Sequence, residues 1–277
     1  TGLFLCKPFN MQTIITTDDT SSINTRDRGL NYGDGFFTTA KVIAGQVEHW
    51  QYHKARLVEC AERLAFPAIN FTELEQHIAK AITGCQLNVL KIVITRGEGG
   101  RGYGLPQHTH LTILITVLGF PQSYPALAKT GVSLALSPIK LAAQPLLAGL
   151  KTLNRLEQVL IKNAMAKQRC DDVLVLDHQN NVIEASAANI FAISDNKVYT
   201  PSLEQCGIKG VYLQSLCDKL AVEFKQVSLN ELTQASAVFI CNSLMGAVPV
   251  NRIEQHTFNV EQSMCLLNEL LAKEAKC

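Results

Sequence analysis

The sequence predicts an α/β chain folded as two domains, and three observations carry that expectation. Runs rich in β-branched residues, such as 89–95 and 110–118, alternate with stretches whose apolar residues recur every three or four positions. At 277 residues with 47% hydrophobic content, the chain is long enough to bury more than one core. A stretch with two prolines and no periodicity, Phe120-Pro121-Gln122-Ser123-Tyr124-Pro125, divides it near the middle. The expected organisation is a domain over 1–119, a linker over 120–127 and a domain over 128–277.

The first domain opens with a strand over 13–16. A glycine turn, Asn31-Tyr32-Gly33-Asp34-Gly35, leads through Phe36-Phe37 into a strand over 38–43. Trp50, His53, Leu57, Ala61 and Leu64 recur at helical steps and mark an amphipathic helix. A second helix is expected from Thr72, where Glu75 completes a T-x-x-E capping box, to Thr83. Strands over 89–95 and 110–118, joined by a glycine-rich loop, close the domain. Beyond the linker, 132–141 reads as a strand. Leu153, Leu156, Leu160 and Ala164 mark a helix whose start is set by Asn154 with Glu157. Further strands are expected over 173–176, 190–193 and 238–241, and helices over 212–224 and 260–273. No internal repeat or low-complexity segment interrupts this order.

Composition excludes several classes of function. A net charge of +1 with scattered Lys and Arg leaves no electrostatic footprint for nucleic acid. The longest apolar run, 111–120, is interrupted by threonines and Gly119 and falls short of the ~18 residues a membrane span needs. The apolar patch within the first eight residues, T-G-L-F-L-C-K-P, is too short for a signal sequence, so a cytoplasmic protein is expected. The missing initiator Met points to a processed or trimmed chain. Nine cysteines, odd in number and without C-x-x-C spacing, read as reduced thiols. Of these, Cys60, Cys217 and Cys241 sit among apolar neighbours as small core residues. His108 and His110 alternate as on a strand face, but no third ligand stands at useful spacing and no metal site is expected.

Lys151 stands out chemically. Residues 99–156 hold no Asp or Glu, where 24 acidic residues in 277 would place about five. Arg101, Lys129, Lys140, Lys151 and Arg155 all fall in that stretch. A lysine without a carboxylate close in sequence is easier to hold neutral, and a neutral amine can act as nucleophile or proton shuttle. Most lysines are solvated surface groups, so Lys151 needs support from other residues. Lys209, flanked by glycines in Gly207-Ile208-Lys209-Gly210-Val211-Tyr212, is its rival, and the pattern alone does not rank the two. That same turn runs into a helix whose free N–H groups would suit a phosphate. Gly97-Glu98-Gly99-Gly100-Arg101-Gly102 matches G-x-G-x-x-G, but a strand follows it in place of a helix and no acidic residue lies about 20 positions on. It reads as a mobile glycine loop presenting Arg101. Glu184 opens a run of small residues, Ala185-Ser186-Ala187-Ala188, against which a planar ligand could lie. Taken jointly, such a lysine, a carboxylate beside small residues, an arginine on a helix and a helix N-terminus are the parts that a pyridoxal phosphate site requires.

Several stretches carry a resemblance to a known family. They are Tyr32-Gly33-Asp34-Gly35-Phe36-Phe37-Thr38-Thr39-Ala40, His53-Lys54-Ala55-Arg56-Leu57, the runs 93–103, 134–138, 149–160 and 184–191, and Cys241-Asn242-Ser243-Leu244-Met245. In this order they span nearly the whole chain, which resembles the class IV pyridoxal-phosphate enzymes, the group of branched-chain and D-amino-acid aminotransferases. The 149–160 and 99–103 stretches are most similar to the family's lyase branch, which acts on 4-amino-4-deoxychorismate.

The resemblance implies a small N-terminal α/β domain and a larger C-terminal pseudo-barrel domain with helices. The cofactor would lie between them in a homodimer whose neighbouring subunit lends part of the substrate pocket. It makes Lys151 the Schiff-base lysine and Glu184 the partner of the pyridine nitrogen. Arg56, the backbone N–H groups of Val211 and Tyr212, and the Ser243 hydroxyl would take the phosphate. The aminotransferases usually carry threonine where Tyr212 stands, so a backbone contact is what the match implies there. Thr39, Lys91, Arg101 and Asn242 match positions around the substrate, and two cations with two neutral hydrogen-bonding groups suit a dicarboxylate. The implied reaction yields pyruvate and 4-aminobenzoate for folate biosynthesis, with Lys151 removing the C4 proton and Thr39 assisting the leaving group. An aminotransferase on the same fold, or a non-catalytic binding protein on a degenerate one, are the alternatives.

Overall fold

A computed structural model describes residues 12–16 and 22–274. The first eight residues, Cys6 and Cys277 lie outside them. The chain divides into two compact units. The first comprises Thr1–Glu48, His53–Gly119 and Thr152–Asn154; the second comprises His49–Tyr52, Phe120–Lys151 and Arg155–Cys277.

In the first unit, β1 (Gln12–Thr16), α1 (Arg28–Tyr32), β2 (Gly35–Ile43), β3 (Gln46–Val47), α2 (Trp50–Arg63), α3 (Phe71–Ala81), β4 (Leu87–Thr95) and β5 (Leu111–Gly119) follow one another. They build a five-stranded sheet in the order β1-β5-β4-β2-β3. The pairs β2–β4 and β4–β5 are antiparallel, and β1 adds to β5 in parallel. Strand alternation sorts the residues between two faces. Phe36, Thr38 and Ala40 on β2 and Leu90, Ile92 and Ile94 on β4 are fully buried, as are Leu57 of α2 and Leu74 of α3. The opposite face carries Phe37, Thr39, Lys91 and Val93, all half-buried.

The second unit holds α4 (Tyr124–Thr130), β6 (Val132–Leu136), α5 (Leu156–Met165), β7 (Asp172–Leu176), β8 (Val182–Ala185), β9 (Asn189–Ser194), β10 (Lys197–Pro201), α6 (Val211–Cys217), β11 (Val222–Lys225), α7 (Leu229–Thr233), β12 (Ala237–Asn242), β13 (Gly246–Ile253), β14 (His256–Thr257) and α8 (Val260–Glu274). Its sheet runs β11-β10-β9-β12-β13-β6-β7-β8, with β14 paired to β13. The sheet curls, so that terminal β8 lies against β9. Ile190, Ala192, Val238, Ile240, Val248 and Leu174 fill its interior. On the outer face, Phe191 stacks on Phe239 with ring centroids 4.9 Å apart, and Leu213, Leu216 and Leu267 of α6 and α8 pack over them. Each fully buried side chain of this kind contributes roughly 1.5–3 kcal/mol.

The structure corrects several element expectations. The cap of α3 is Asn70, whose side chain accepts from the Glu73 N–H, not Thr72 with Glu75; Glu75 instead pairs with Lys54 at 3.0 Å. The strand expected over 132–141 ends at Leu136, before Ser137-Pro138. The helix expected over 212–224 stops at Cys217, and 222–225 is β11, paired in parallel with β10. No side chain caps α5, which starts at Leu156; Glu157 Oε1 accepts from the Ala142 N–H at 3.1 Å. Part of the expected linker is helical, because α4 begins at Tyr124 with Pro125 in its first turn, where a missing N–H costs nothing.

Candidate active site

Lys151 and Glu184 converge on one turn of the second unit. Gly149 has φ 83°, a left-handed conformation that glycine adopts without strain, and it directs the chain toward Lys151. The Gly149 N–H donates to the Gly207 carbonyl at 3.0 Å, and the Lys209 N–H donates back to the Gly149 carbonyl at 3.0 Å. Between those two bonds, the Ile208 N–H donates to Glu184 Oε2 at 2.9 Å, while the Ile208 carbonyl accepts from Asn189 Nδ2 at 2.7 Å. One peptide segment therefore fixes both the lysine loop and the carboxylate.

Electrostatics separates Lys151 from its rival. Glu184 is 5% exposed, and burial pushes its carboxyl up to about 7. Opposing that rise are the Ile208 N–H, the charges of Lys151 and Arg155, and a hydrogen bond from Gln158. Lys151 is half-buried and acts on Glu184, whereas Lys209 is exposed. The first turn of α5 supplies Arg155 and Gln158 to this carboxylate. Sequence reasoning missed Gln158 and Asn189, and the signal available was their position inside the quoted runs 149–160 and 184–191.

The other expected residues of the second unit lie on two nearby features of its fold. Val211 and Tyr212 open α6 after Gly210, where no side chain caps the helix, and stand at the end toward which a helix's N–H groups point. The Tyr212 ring meets His49 edge-on at 6.0 Å. Ser243 and Asn242 sit at the β12–β13 connection. Asn242 Oδ1 accepts from the Leu244 and Met245 N–H groups, and its Nδ2 donates to the Ala187 carbonyl. The Asn242 side chain is thus tied to the small-residue turn that follows Glu184.

In the first unit, Thr39 and Lys91 stand directly opposite each other on β2 and β4, on the half-buried face. Lys91 Nζ lies 5.5 Å from the Phe37 ring centroid. The neighbouring Thr38 points to the other face, where its Oγ1 lies 2.6 Å from His53 Nδ1 and accepts from Arg56 Nη1 at 3.4 Å. Burial lowers the Arg56 guanidinium to about 10, against the pull of Cys60 and Glu59, so it stays charged at neutral pH. Arg101 is exposed at the tip of the loop between β4 and β5.

These groups fit pyridoxal phosphate. Within the second unit, a buried carboxylate suits a protonated ring nitrogen, the small side chains of Ala185–Ala188 suit the close approach of a planar ring, and the N-terminal end of α6 and Ser243 are phosphate-binding chemistry. Among the described residues no group of three His, Cys, Asp or Glu is arranged to hold a metal ion. Among the same residues no helix is long and apolar enough to cross a membrane.

Comparison with known proteins agrees with this chemistry. The family model described as amino-transferase class IV matches residues 35–253. The chain is 38% identical to the aminodeoxychorismate lyase of Vibrio harveyi over 234 residues, covering 82% of this chain and 86% of that protein. It superposes with TM-score 0.81 on the 4-amino-4-deoxychorismate lyase of Pseudomonas aeruginosa at 37% identity, covering 90% of this chain and 94% of the other. A hypothetical aminotransferase from Mycobacterium tuberculosis, solved in a PLP-bound form, shares the fold with TM-score 0.81 at 18% identity, covering 93% and 94% of the two chains.

Proposed function

We propose that the chain, which belongs to the class IV amino-transferase family, is a pyridoxal-phosphate-dependent lyase. It converts 4-amino-4-deoxychorismate to 4-aminobenzoate and pyruvate, a step toward folate. The observation that carries the cofactor chemistry is the buried Glu184 carboxylate held beside Lys151 by the Ile208 peptide. The choice of a lyase over an aminotransferase rests on the 38% identity to the Vibrio harveyi enzyme.

Lys151 would carry the cofactor and Glu184 would keep its ring nitrogen protonated. Arg56, the N–H groups of Val211 and Tyr212, and the Ser243 hydroxyl would hold the phosphate. When bound, pyridoxal phosphate supplies an electron sink conjugated to the substrate's amine. Released when the substrate's amine takes its place, the Lys151 amine would take the proton from the substrate's C4, which a neutral amine can do and an ammonium cannot. The Thr39 hydroxyl donates to the ether oxygen of the leaving enolpyruvyl group. Lys91 and Arg101 neutralise the two carboxylates, and Asn242 adds a neutral contact from its turn. Aromatisation of the ring drives the cleavage, and atoms balance without water or a second substrate.

We assign the working form as a homodimer in the cytoplasm. The apolar stripe of α5 faces outward, with Leu156 70%, Val159 59% and Leu160 49% exposed, and Leu146 nearby in sequence is 80% exposed. A second copy would cover this stripe. The seven described cysteines are free thiols, which suits a reducing compartment.

The test is an assay of purified holoenzyme on 4-amino-4-deoxychorismate with no keto acid added. The proposal expects equimolar pyruvate and 4-aminobenzoate. Turnover only with an amino-acid and keto-acid pair would overturn it.

A further inference from the structure

The loop that carries Arg101 is held by a residue outside it. Four of the six residues 99–104 are glycines, which carry the largest backbone entropy, so this loop does not hold one shape by its own preferences. Its entry is fixed by backbone bonds, from the Arg28 N–H to the Gly97 carbonyl at 2.8 Å and from the Gly99 N–H to the Arg26 carbonyl at 3.4 Å. Its exit is fixed by one side chain. The Arg28 guanidinium donates through Nη1 to the Gly102 and Gly104 carbonyls and through Nη2 to the Tyr103 carbonyl, each at 3.2 Å. Between entry and exit stands Arg101, exposed.

Arg28 is itself immobilised. It is 3% exposed and donates through Nε to Asp34 Oδ2 at 2.7 Å. Asp34 Oδ2 also accepts from Arg96 Nε at 2.9 Å, and Arg96 reaches on to the Leu64 and Ala65 carbonyls. Asp27 caps α1 at the Gly29 and Leu30 N–H groups and accepts from the Thr95 hydroxyl at 2.7 Å, so Arg28 projects from a helix tied to β4. The Tyr32 ring lies under Arg28 at 5.0 Å and meets Tyr103 edge-on at 5.5 Å. Serving three carbonyls and a carboxylate at once needs the planar fork of an arginine; a lysine has three donors on one atom.

We infer that Arg28 is a positioning residue for substrate recognition, clamping carbonyls 102–104 so that Arg101 is presented to a substrate carboxylate. This rests on the reading of Arg101 as a carboxylate-binding residue. A point displacement of that guanidinium weakens recognition while leaving the cofactor groups, which lie on other elements, in place.

Holoenzymes carrying Arg28→Lys, Arg101→Ala, both together, and Gly99→Ala test it with 4-amino-4-deoxychorismate. Gly99→Ala disturbs the clamp from the loop side, since its Cβ would stand 2.6 Å from Arg28 Cδ, and so serves if Arg28→Lys does not fold. Arg28→Lys and Gly99→Ala should each raise KM about 10- to 100-fold, with kcat changed less than about threefold and the cofactor's visible spectrum unaltered. Arg28→Lys should add less than about twofold on the Arg101→Ala background, because both changes remove one interaction. Trypsin should cut after Arg101 faster in Arg28→Lys than in wild type. A full additional KM effect on the Arg101→Ala background, or faster cutting with unchanged KM, overturns the inference alone. Arg101→Ala with unchanged KM would overturn the Arg101 reading and the inference with it.

Discussion

Glu184 Oε2 accepts a 2.9 Å hydrogen bond from the backbone N–H of Ile208, and Ile208 is bridged to Gly149, two residues before Lys151. The lysine loop and the carboxylate, 33 positions apart in sequence, are therefore set by one peptide. A displacement of either is felt by the other.

That carboxylate has a pH signature. Burial holds Glu184 up to about 7 in the folded protein. An unfolded Glu titrates near 4.3, so the folded state retains the proton longer and cofactor-free protein loses stability as pH rises from about 4.3 through about 7, by on the order of 3 kcal/mol. Above that window the loss is complete. Glu184→Gln keeps an acceptor for Ile208 and removes the titration. Denaturant unfolding of both proteins across the window should show a wild-type decline that the variant lacks; equal slopes would contradict the assignment.

Thr39 faces the same side of the sheet as Lys91, its cross-strand partner. Thr39→Ala should lower kcat by about 10²-fold if the hydroxyl assists the leaving group. Thr39→Ser should retain most of the activity. Unchanged elimination in the alanine variant would remove Thr39 from the mechanism.

Asp34 receives two guanidinium groups on one oxygen. Burial raises its carboxyl, but the hydrogen bonds and charges of Arg96 and Arg28 outweigh that and hold it below the usual range. The stabilisation is present at neutral pH and is lost as pH falls through the lowered pKa. Asp34→Asn should cost about 3 kcal/mol at neutral pH, read from the denaturant midpoint, and far less at acid pH. A cost independent of pH would show that charge is not what Asp34 contributes.

If the proposed dimer forms through α5, wild type should sediment as a dimer and Leu156→Glu as a monomer, because the substitution places a charge at the most exposed point of the α5 stripe. A variant that sediments as wild type would move the interface elsewhere.

Much of this was legible in the sequence, and the failures have physical causes. The pattern Trp50, His53, Leu57, Ala61 located α2 because tertiary packing buries that face. The same periodicity at Leu156 and Leu160 located α5, yet there the apolar stripe faces outward, and periodicity does not say what an apolar face meets. The cap of α3 was misplaced because two acceptor–Glu pairs overlap, Asn70 with Glu73 and Thr72 with Glu75, and only the backbone decides between them. Residues 212–224 read as one helix because parallel pairing with β10, which makes 222–225 a strand, is a long-range event. Lys151 could not be ranked above Lys209 in sequence, since the difference is burial beside Glu184. Arg28 and Asp34 carried no signal of their roles: their partners are carbonyls of a distant loop and a second arginine.

Reduction of the holoenzyme with borohydride, followed by peptide mass mapping, identifies the lysine that bears the cofactor. The cofactor's mass should fall on the peptide containing Lys151 and be absent from the peptide containing Lys209. Label on Lys209, or on no lysine, would refute the role of Lys151.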